Sequence, residues 1–377
     1  MRRVSLEFIE SGMVVGRSIY NSEGRPLLGV GMVLNEQYIK RLKELGIGAI
    51  FIKDSLFEQC EDPVDVISEQ TRLEAINAVK EIYRSFESKK RISTTRISQA
   101  VNSLIDELLS KPEVVVNCVD IRSHDDYTFA HSVQVCVLSL MTGISLGFDK
   151  IQLKELGTGA LTHDIGKTLI DRVLLNKPGK LTPKEYEMIK NHAQYGFDIL
   201  RGDQQFSLFS AHIALQHHEF EDGQGYPRGL AGKEIHPYAR IVSVADVFDA
   251  LVADRPYRKA YSTDQAIAIM KQRSGIQFNH WYLDTLFSNI AQFPIGSVVV
   301  LNTQETAIVV DNNRETPTRP VVRVIIDRHN RELSRPLEID LTKDYLVEIS
   351  RVLSEEELSK LLKVLSEPEL MRECPVS

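Results

Sequence analysis

Seven side chains set the chemistry open to this 377-residue chain: His131, His163, Asp164, His192, the doublet His217-His218, and Asp246. Imidazole and carboxylate without thiolate are the donor set of iron, manganese or zinc, and spacing alone does not choose among those metals. Taken singly, each residue has a plainer reading. His131, between Ala130 and Ser132 on a helix, could be a hydrogen-bonded core histidine, and His192 beside Asn191 a solvated one. A His163-Asp164 pair just before Gly166 also suits a surface turn. Asp246 is harder to dismiss, because it ends the apolar run Ile241-Val242-Ser243-Val244-Ala245 and its charge needs a partner. Jointly the balance reverses: few structural cores need so many metal-competent groups.

Longer strings carry a family resemblance. His163-Asp164-Ile165-Gly166-Lys167, Lys190-Asn191-His192 and His217-His218-Glu219-Phe220-Glu221-Asp222-Gly223-Gln224-Gly225-Tyr226-Pro227-Arg228-Gly229-Leu230 occur in order. Val244-Ala245-Asp246-Val247-Phe248-Asp249-Ala250 and Arg255-Pro256-Tyr257-Arg258 follow. Over roughly residues 115–292 the chain resembles the HD-GYP subgroup of HD-domain phosphohydrolases. The resemblance implies an all-helical domain that hydrolyses cyclic di-GMP to linear pGpG, GMP or both. It implies one metal held by His131, His163, Asp164 and Asp246, and a second held by His192, His217 and His218, with Asp164 bridging. Two such ions can attack a phosphodiester without a protein nucleophile. Lys167 matches a phosphate-contacting cation beside the catalytic Asp164. Asp249, Arg255 and Arg258 match guanine- or phosphate-contacting positions, which suits arginine forks. Gly225 and Tyr226 belong to the loop expected at the substrate, where Gly223, Gly225 and Pro227 give shape and Tyr226 stacks or anchors. A catalytically weak cyclic di-GMP sensor or effector, or a phosphodiesterase for another cyclic dinucleotide such as cyclic GMP-AMP, stays open as an alternative.

Two departures bear on these expectations. Where some family members place a third-metal glutamate, four residues before the helix histidine, this chain has Tyr127. Four residues is about one helical turn, so Tyr127 faces the cluster when His131 does, whereas Asp126 and Asp125 sit roughly 100° and 200° around. Two ions, iron or manganese, are therefore expected rather than three. Asn279 stands where aspartate is common and should still start a helix, since asparagine also caps well.

The elements that must position these groups follow from periodicity and turns. The fold class expected is multidomain and mainly α: a helical HD-type domain between a small N-terminal α/β module and a small C-terminal β-rich module. Residues 1–57 mix short β-type runs with a helix from Asn35 to Leu45 stopped by Gly46. Residues 58–114 read as an acidic linker and two helices, near 66–88 and 93–110. Within 115–292, Thr182-Pro183-Lys184-Glu185 has the pattern of a capping box with proline at the first helical position. Residues 293–350 carry the β-branched runs 298–301, 307–310 and 321–326. Residues 351–377 hold a helix starting at Ser354-Glu355-Glu356-Glu357, and a tail.

Composition bounds the rest. Apolar residues make up 43% and charged residues 26%, ordinary for a globular protein, and the net charge of −7 gives no general field for long nucleic acid or anionic membrane. Cys60, Cys118, Cys136 and Cys374 form no Cys-x-x-Cys pair, which fits a reducing compartment. Val133–Phe148 is too short to span a membrane, so a cytoplasmic location is expected. The resemblance allows protein partners at the loop around Tyr226, such as diguanylate cyclase domains, or at the flanking modules, and it allows a homodimer. His163→Ala and Asp164→Ala are expected to abolish turnover with the helical circular dichroism signal kept. Near-native activity of either variant with metal restored would refute the assignment.

Overall fold

The computed structural model describes residues 1–20, 26–54, 57, 65–88, 94–111, 114–117, 127–177, 179–253, 260–313, 315–329 and 331–366. They fall into two compact units. One takes the described residues within Met1–Val64, Asn117–Asp125 and Ala291–Ser377. The other takes those within Asp65–Val116 and Asp126–Ile290.

The first unit opens with β1 (Arg2–Ser5), β2 (Val14–Val15), β3 (Ile19–Tyr20), β4 (Pro26–Leu28), α1 (Glu36–Glu44) and β5 (Ala49–Lys53). β5 lies between β1 and β2, antiparallel to both, and β3 pairs with β4. The Asn35 side chain accepts the Tyr38 N–H at 2.8 Å to start α1, and Gly46 takes φ +66° just past its end. Val4, Val15, Leu34, Leu42, Ile50 and Ile52 form the core of this region.

The same unit ends with β6 (Val298–Leu301), β7 (Thr306–Asp311), β8 (Val321–Ile326), β9 (Glu332–Asp340), β10 (Ile349–Val352) and α12 (Glu355–Ser366). These strands form one antiparallel sheet in the order β10-β6-β7-β8-β9. Alternation splits its faces: Val299, Ala307, Val309, Val322 and Val324 fill one core, while Val298 and Ile308 turn to the other with Ile325 and Ile326. That second core also holds Leu358 of α12 and the fully buried Phe57. Sequence texture separates residues 1–57 from 293–350; in the structure their described residues fall into one unit, and Phe57 packs in the core between sheet and helix. β9 carries Pro336 and alternating charge, tolerated because it is an edge strand.

The second unit is helical: α2 (Glu69–Glu87), α3 (Thr95–Ser110), α4 (Tyr127–Ser145), α5 (Lys150–Thr162), α6 (Arg172–Leu175), α7 (Pro183–Gly202), α8 (Leu208–Gln216), α9 (Pro237–Val252), α10 (Thr263–Lys271) and α11 (His280–Phe287). A 3-10 turn, Ile165–Leu169, links α5 to α6. α4 is the axis, with α2, α3, α5, α9 and α11 packed around it. Every residue from Ala130 to Gly143 is buried, so α4 is apolar nearly all round. Among the described residues it is the one helix long and apolar enough to cross a membrane, and it is spent as a core helix here, 78% buried over Thr128–Ser145.

Phe57→Ala should destabilise the first unit by about 3–5 kcal/mol, the cost of emptying a fully packed phenylalanine site. Urea denaturation of the full chain measures it, and an unchanged midpoint would mean that Phe57 is not packed there.

Candidate metal centre

Five local features deliver the seven candidate ligands. α4 presents His131 and α9 presents Asp246, while α7 presents His192 from its middle. His163 caps the C-terminus of α5 and Asp164 opens the following 3-10 turn. His217 caps the C-terminus of α8, with His218 next in chain. The capping box forms as expected: Thr182 Oγ1 accepts the Glu185 N–H at 3.3 Å and Glu185 Oε2 accepts the Thr182 N–H at 2.7 Å. This fixes the phase of α7 and so where His192 points. Gly166 lets the turn lie on α7: a Cβ there would come 2.0 Å from the His192 carbonyl oxygen and 2.5 Å from Gly196 N. No other residue type permits that approach, which brings Asp164 to His192.

The donors converge as two adjoining groups. His192, His217 and His218 offer nitrogens within 4.8 Å of one another, and His131, His163 and Asp164 offer a second set equally close. Asp164 spans both: Oδ2 is 3.4 Å from His163 Nε2, and Oδ1 is 3.5 Å from His192 Nε2 and 3.9 Å from His217 Nε2. Asp246 Oδ1 is 3.0 Å from His131 Nε2. On the far side of the rings, Nδ1 of His163 meets the Ala160 carbonyl at 2.7 Å, that of His192 the Ile189 carbonyl at 2.7 Å, and that of His217 the Ala214 carbonyl at 2.9 Å. An Nδ1–H bound to a carbonyl leaves the Nε2 lone pair free, and all three Nε2 atoms face the cluster.

This arrangement fits a divalent metal. His163 Nε2 and Asp164 Oδ1 are buried without a hydrogen-bond partner, a costly state for two polar atoms unless an ion takes their lone pairs. Protonation states agree. Burial holds His217 and His192 below the usual histidine range and lowers His218 to about 3, so all three are neutral at pH 7, as candidate ligands must be. Burial opposes charge on Asp164 and Asp246 too. For Asp164 the neighbouring Lys167 and His163 outweigh it, and for Asp246 the hydrogen bond to His131 does, so both stay well below the normal carboxylate range. His131 goes the other way. Burial disfavours its charge, but hydrogen bonds to Asp246 and Asp249 raise it to about 9.

Around the cluster, Lys167 Nζ lies 2.5 Å from Asp164 Oδ2 and keeps 31% of its side chain exposed, so a mobile cation stands at the bridging carboxylate. Tyr226 stacks on His218, centroids 4.7 Å apart at 29°, and Lys190 Nζ lies 5.4 Å from the Tyr226 ring centre. Tyr226 thus anchors a candidate ligand. Gly225 is pressed to the end of α8: a Cβ would meet Phe220 N at 2.3 Å and the His218 carbonyl oxygen at 2.5 Å. Close approach, more than backbone freedom, requires glycine there. Asp249, matched by resemblance to substrate-contacting positions, is instead buried with Oδ2 2.6 Å from His131 Nδ1. Arg255, Arg258, Asp125 and Asp126 lie outside the described residues, as does the side chain of Tyr127.

Some contributors escaped sequence reasoning. Glu219 is buried, and its two oxygens accept the Arg228 and Leu230 N–H groups at 2.8 and 2.9 Å, closing the loop on itself. Its position directly after the histidine doublet was a usable signal. Asn279 caps α11 by accepting the Trp281 N–H at 3.0 Å, as expected, and its amide also donates to Glu221 at 3.1 Å. Tyr83 of α2 buries its phenol, which burial and the charge of Asp164 hold above the usual tyrosine range, and no sequence signal singled it out.

Comparison with known proteins agrees with this geometry. Residues 116–280 match the HD domain model, and residues 298–361 match a KOW domain associated with HD domains. A cyclic di-GMP phosphodiesterase of Pseudomonas aeruginosa is 32% identical over 254 residues, 67% of this chain and 61% of the relative. A cyclic di-GMP phosphodiesterase response regulator of Xanthomonas campestris pv. campestris is 39% identical over 173 residues, 46% of each chain. A 3'3'-cGAMP-specific phosphodiesterase of Vibrio cholerae is 42% identical over 154 residues, 41% of this chain and 33% of the relative. The chain thus spans less than two thirds of the length of each of these relatives. With its ordered HD and GYP motifs folded into one histidine–aspartate cluster, the chain belongs to the HD-GYP family.

The metal-free protein should be most stable near pH 6.5–7. Below that, the unfolded chain takes up protons at His192, His217 and His218 that the folded state refuses, so stability falls as pH drops. Above it, His131 holds a proton that the unfolded chain has lost, and that contribution disappears as pH rises through about 9. Each proton of difference contributes about 1.4 kcal/mol per pH unit. Thermal melts of chelator-treated protein from pH 5 to 9 check this, and a monotonic rise across the range would contradict it.

Proposed function

We propose that this protein is a metal-dependent phosphodiesterase that hydrolyses cyclic di-GMP to linear pGpG, GMP or both. The observation that carries the reading is the convergence of Asp164 with five histidines, joined by Asp246 at His131, with His163 Nε2 and Asp164 Oδ1 left unpartnered. His131, His163, Asp164 and Asp246 hold one ion and His192, His217 and His218 the other, with Asp164 shared. Iron or manganese is the productive occupant, and the count is two. Such ions supply Lewis acidity toward a phosphodiester.

The chain's own residues do the rest. Lys167, tied to Asp164 and partly exposed, swings its ammonium to a phosphate oxygen. Tyr226, stacked on His218, excludes water from one side of the cluster and holds that imidazole in place. Arg255 and Arg258 bind phosphate or the guanine edge. Two relatives named as cyclic di-GMP phosphodiesterases support the substrate. The relative named 3'3'-cGAMP-specific makes cyclic GMP-AMP the second reading.

Domain limits at 57, 114, 292 and 350, protein partners at the loop around Tyr226, a homodimer and a cytoplasmic location belong to the same proposal. Limited proteolysis near 58–65 and 293–296 addresses the first of these.

Anaerobically purified protein, assayed for bound iron and manganese and then for turnover, tests the proposal. Two ions per chain and faster hydrolysis of cyclic di-GMP than of cyclic GMP-AMP are expected, and the reverse preference would select the second reading. Lys167→Ala should keep both ions yet lose at least about tenfold in kcat/KM, one charge-assisted hydrogen bond being worth about 1.5–3 kcal/mol. Loss of metal in that variant would place Lys167 in support of the cluster instead.

A further inference from the structure

His131 differs from three other histidines of the cluster. His163, His192 and His217 each direct Nδ1 to a carbonyl of the helix that carries them. His131 directs Nδ1 to a carboxylate, Asp249 Oδ2 at 2.6 Å. Asp249 lies three residues after Asp246, so α9 presents both carboxylates on one face. The imidazole sits between them, with Asp246 at Nε2 and Asp249 at Nδ1. Asp249 is 1% exposed, against 13% for the side chain of Asp246, so it lies behind the ring rather than at the pocket.

A carboxylate accepting from Nδ1–H does two things that a carbonyl does less well. It fixes the tautomer and the ring plane, and it makes Nε2 a stronger electron-pair donor. We propose that Asp249 is a positioning residue for His131, and that it makes the site of His131, His163, Asp164 and Asp246 the tighter of the two metal positions. The other position, built on His192 and His217 with carbonyl partners, is the weaker one and the one that empties first. This inference rests on the two-metal reading above. It assigns Asp249 to metal retention rather than to substrate contact.

Manganese titration of the full chain against a chelating dye, for wild type, Asp249→Ala and Asp249→Asn, tests it. Wild type should bind two ions of unequal affinity. Asp249→Ala should weaken the tighter ion by 10–100-fold and leave the weaker one unchanged. Asp249→Asn, whose amide oxygen still accepts from Nδ1–H, should fall between the two, and it is the deciding variant if the alanine protein does not fold. At saturating manganese, the KM of both variants for cyclic di-GMP should equal that of wild type. Wild-type affinity for both ions with a raised KM would overturn the inference and make Asp249 a substrate contact. Equal weakening of both ions would also overturn it, by showing a general structural role. Wild-type protein that binds no manganese or iron at all would instead refute the two-metal reading on which the inference stands.

Discussion

The structure depends on keeping one carboxylate ionised where water does not reach. Asp164 is 1% exposed, and burial by itself would drive it to the neutral acid. Lys167 and the surrounding imidazoles reverse that outcome, and the helices are arranged to bring them there. Because the charge is buried, its partners must lie within a few ångströms; a partner displaced by one side-chain length would leave an unpaired ion in the core. The requirement sets tolerances for the whole helical unit. α5, α7, α8 and α9 must end, begin or cross at fixed places relative to α4.

Those tolerances are met by local devices of ordinary strength used at critical points. The capping box at Thr182 fixes where α7 begins, and Asp149 does the same for α5, accepting the Ile151 and Gln152 N–H groups while the Gln152 side chain accepts its own N–H. Each cap is worth about 1 kcal/mol. Their larger effect is to set the rotational phase of a helix, which decides whether a histidine about three or four turns away faces inward. Gly166 and Gly225 act differently, by letting backbones touch where any side chain would intrude. Glu219 then closes the loop that holds Tyr226 on His218.

Much of this was legible in the sequence, for a physical reason. Residues that bind metal are chemically conspicuous, and their order along the chain survives folding. All seven candidate ligands come together, and the helix starts at Asn35, Thr182 and Asn279 stand where capping chemistry put them. What the sequence hides is relation across space. Asp249 has the chemistry of a substrate contact, and only the depth at which α9 packs on α4 makes it a neighbour of His131 instead. β9 is charged and β10 is only four residues long, so neither stands out as a β-branched run, both being specified by pairing with β8 and β6 rather than by their own composition. Phe57 is the last residue of the expected N-terminal module, next to an acidic linker, and nothing local marks it as a core residue.

The discontinuity of the first unit bears on how the chain is made. Its opening segment ends by Val64 and its closing segment resumes at Ala291, roughly 230 residues later. At about 5–20 residues per second on the ribosome, Phe57 waits about 15–60 s until Leu358 of α12, the last of the residues that bury it, has been made. The helical unit emerges whole within that interval and can fold first. Metal loading can therefore precede completion of the β-rich unit, while the early segment stays incomplete until the final strands arrive. During that wait its unburied apolar surface and the open edge of β1 are targets for chaperones and for proteolysis. Ribosomal pausing between Ala291 and Leu358 would lengthen this exposure without touching any of the seven candidate ligands.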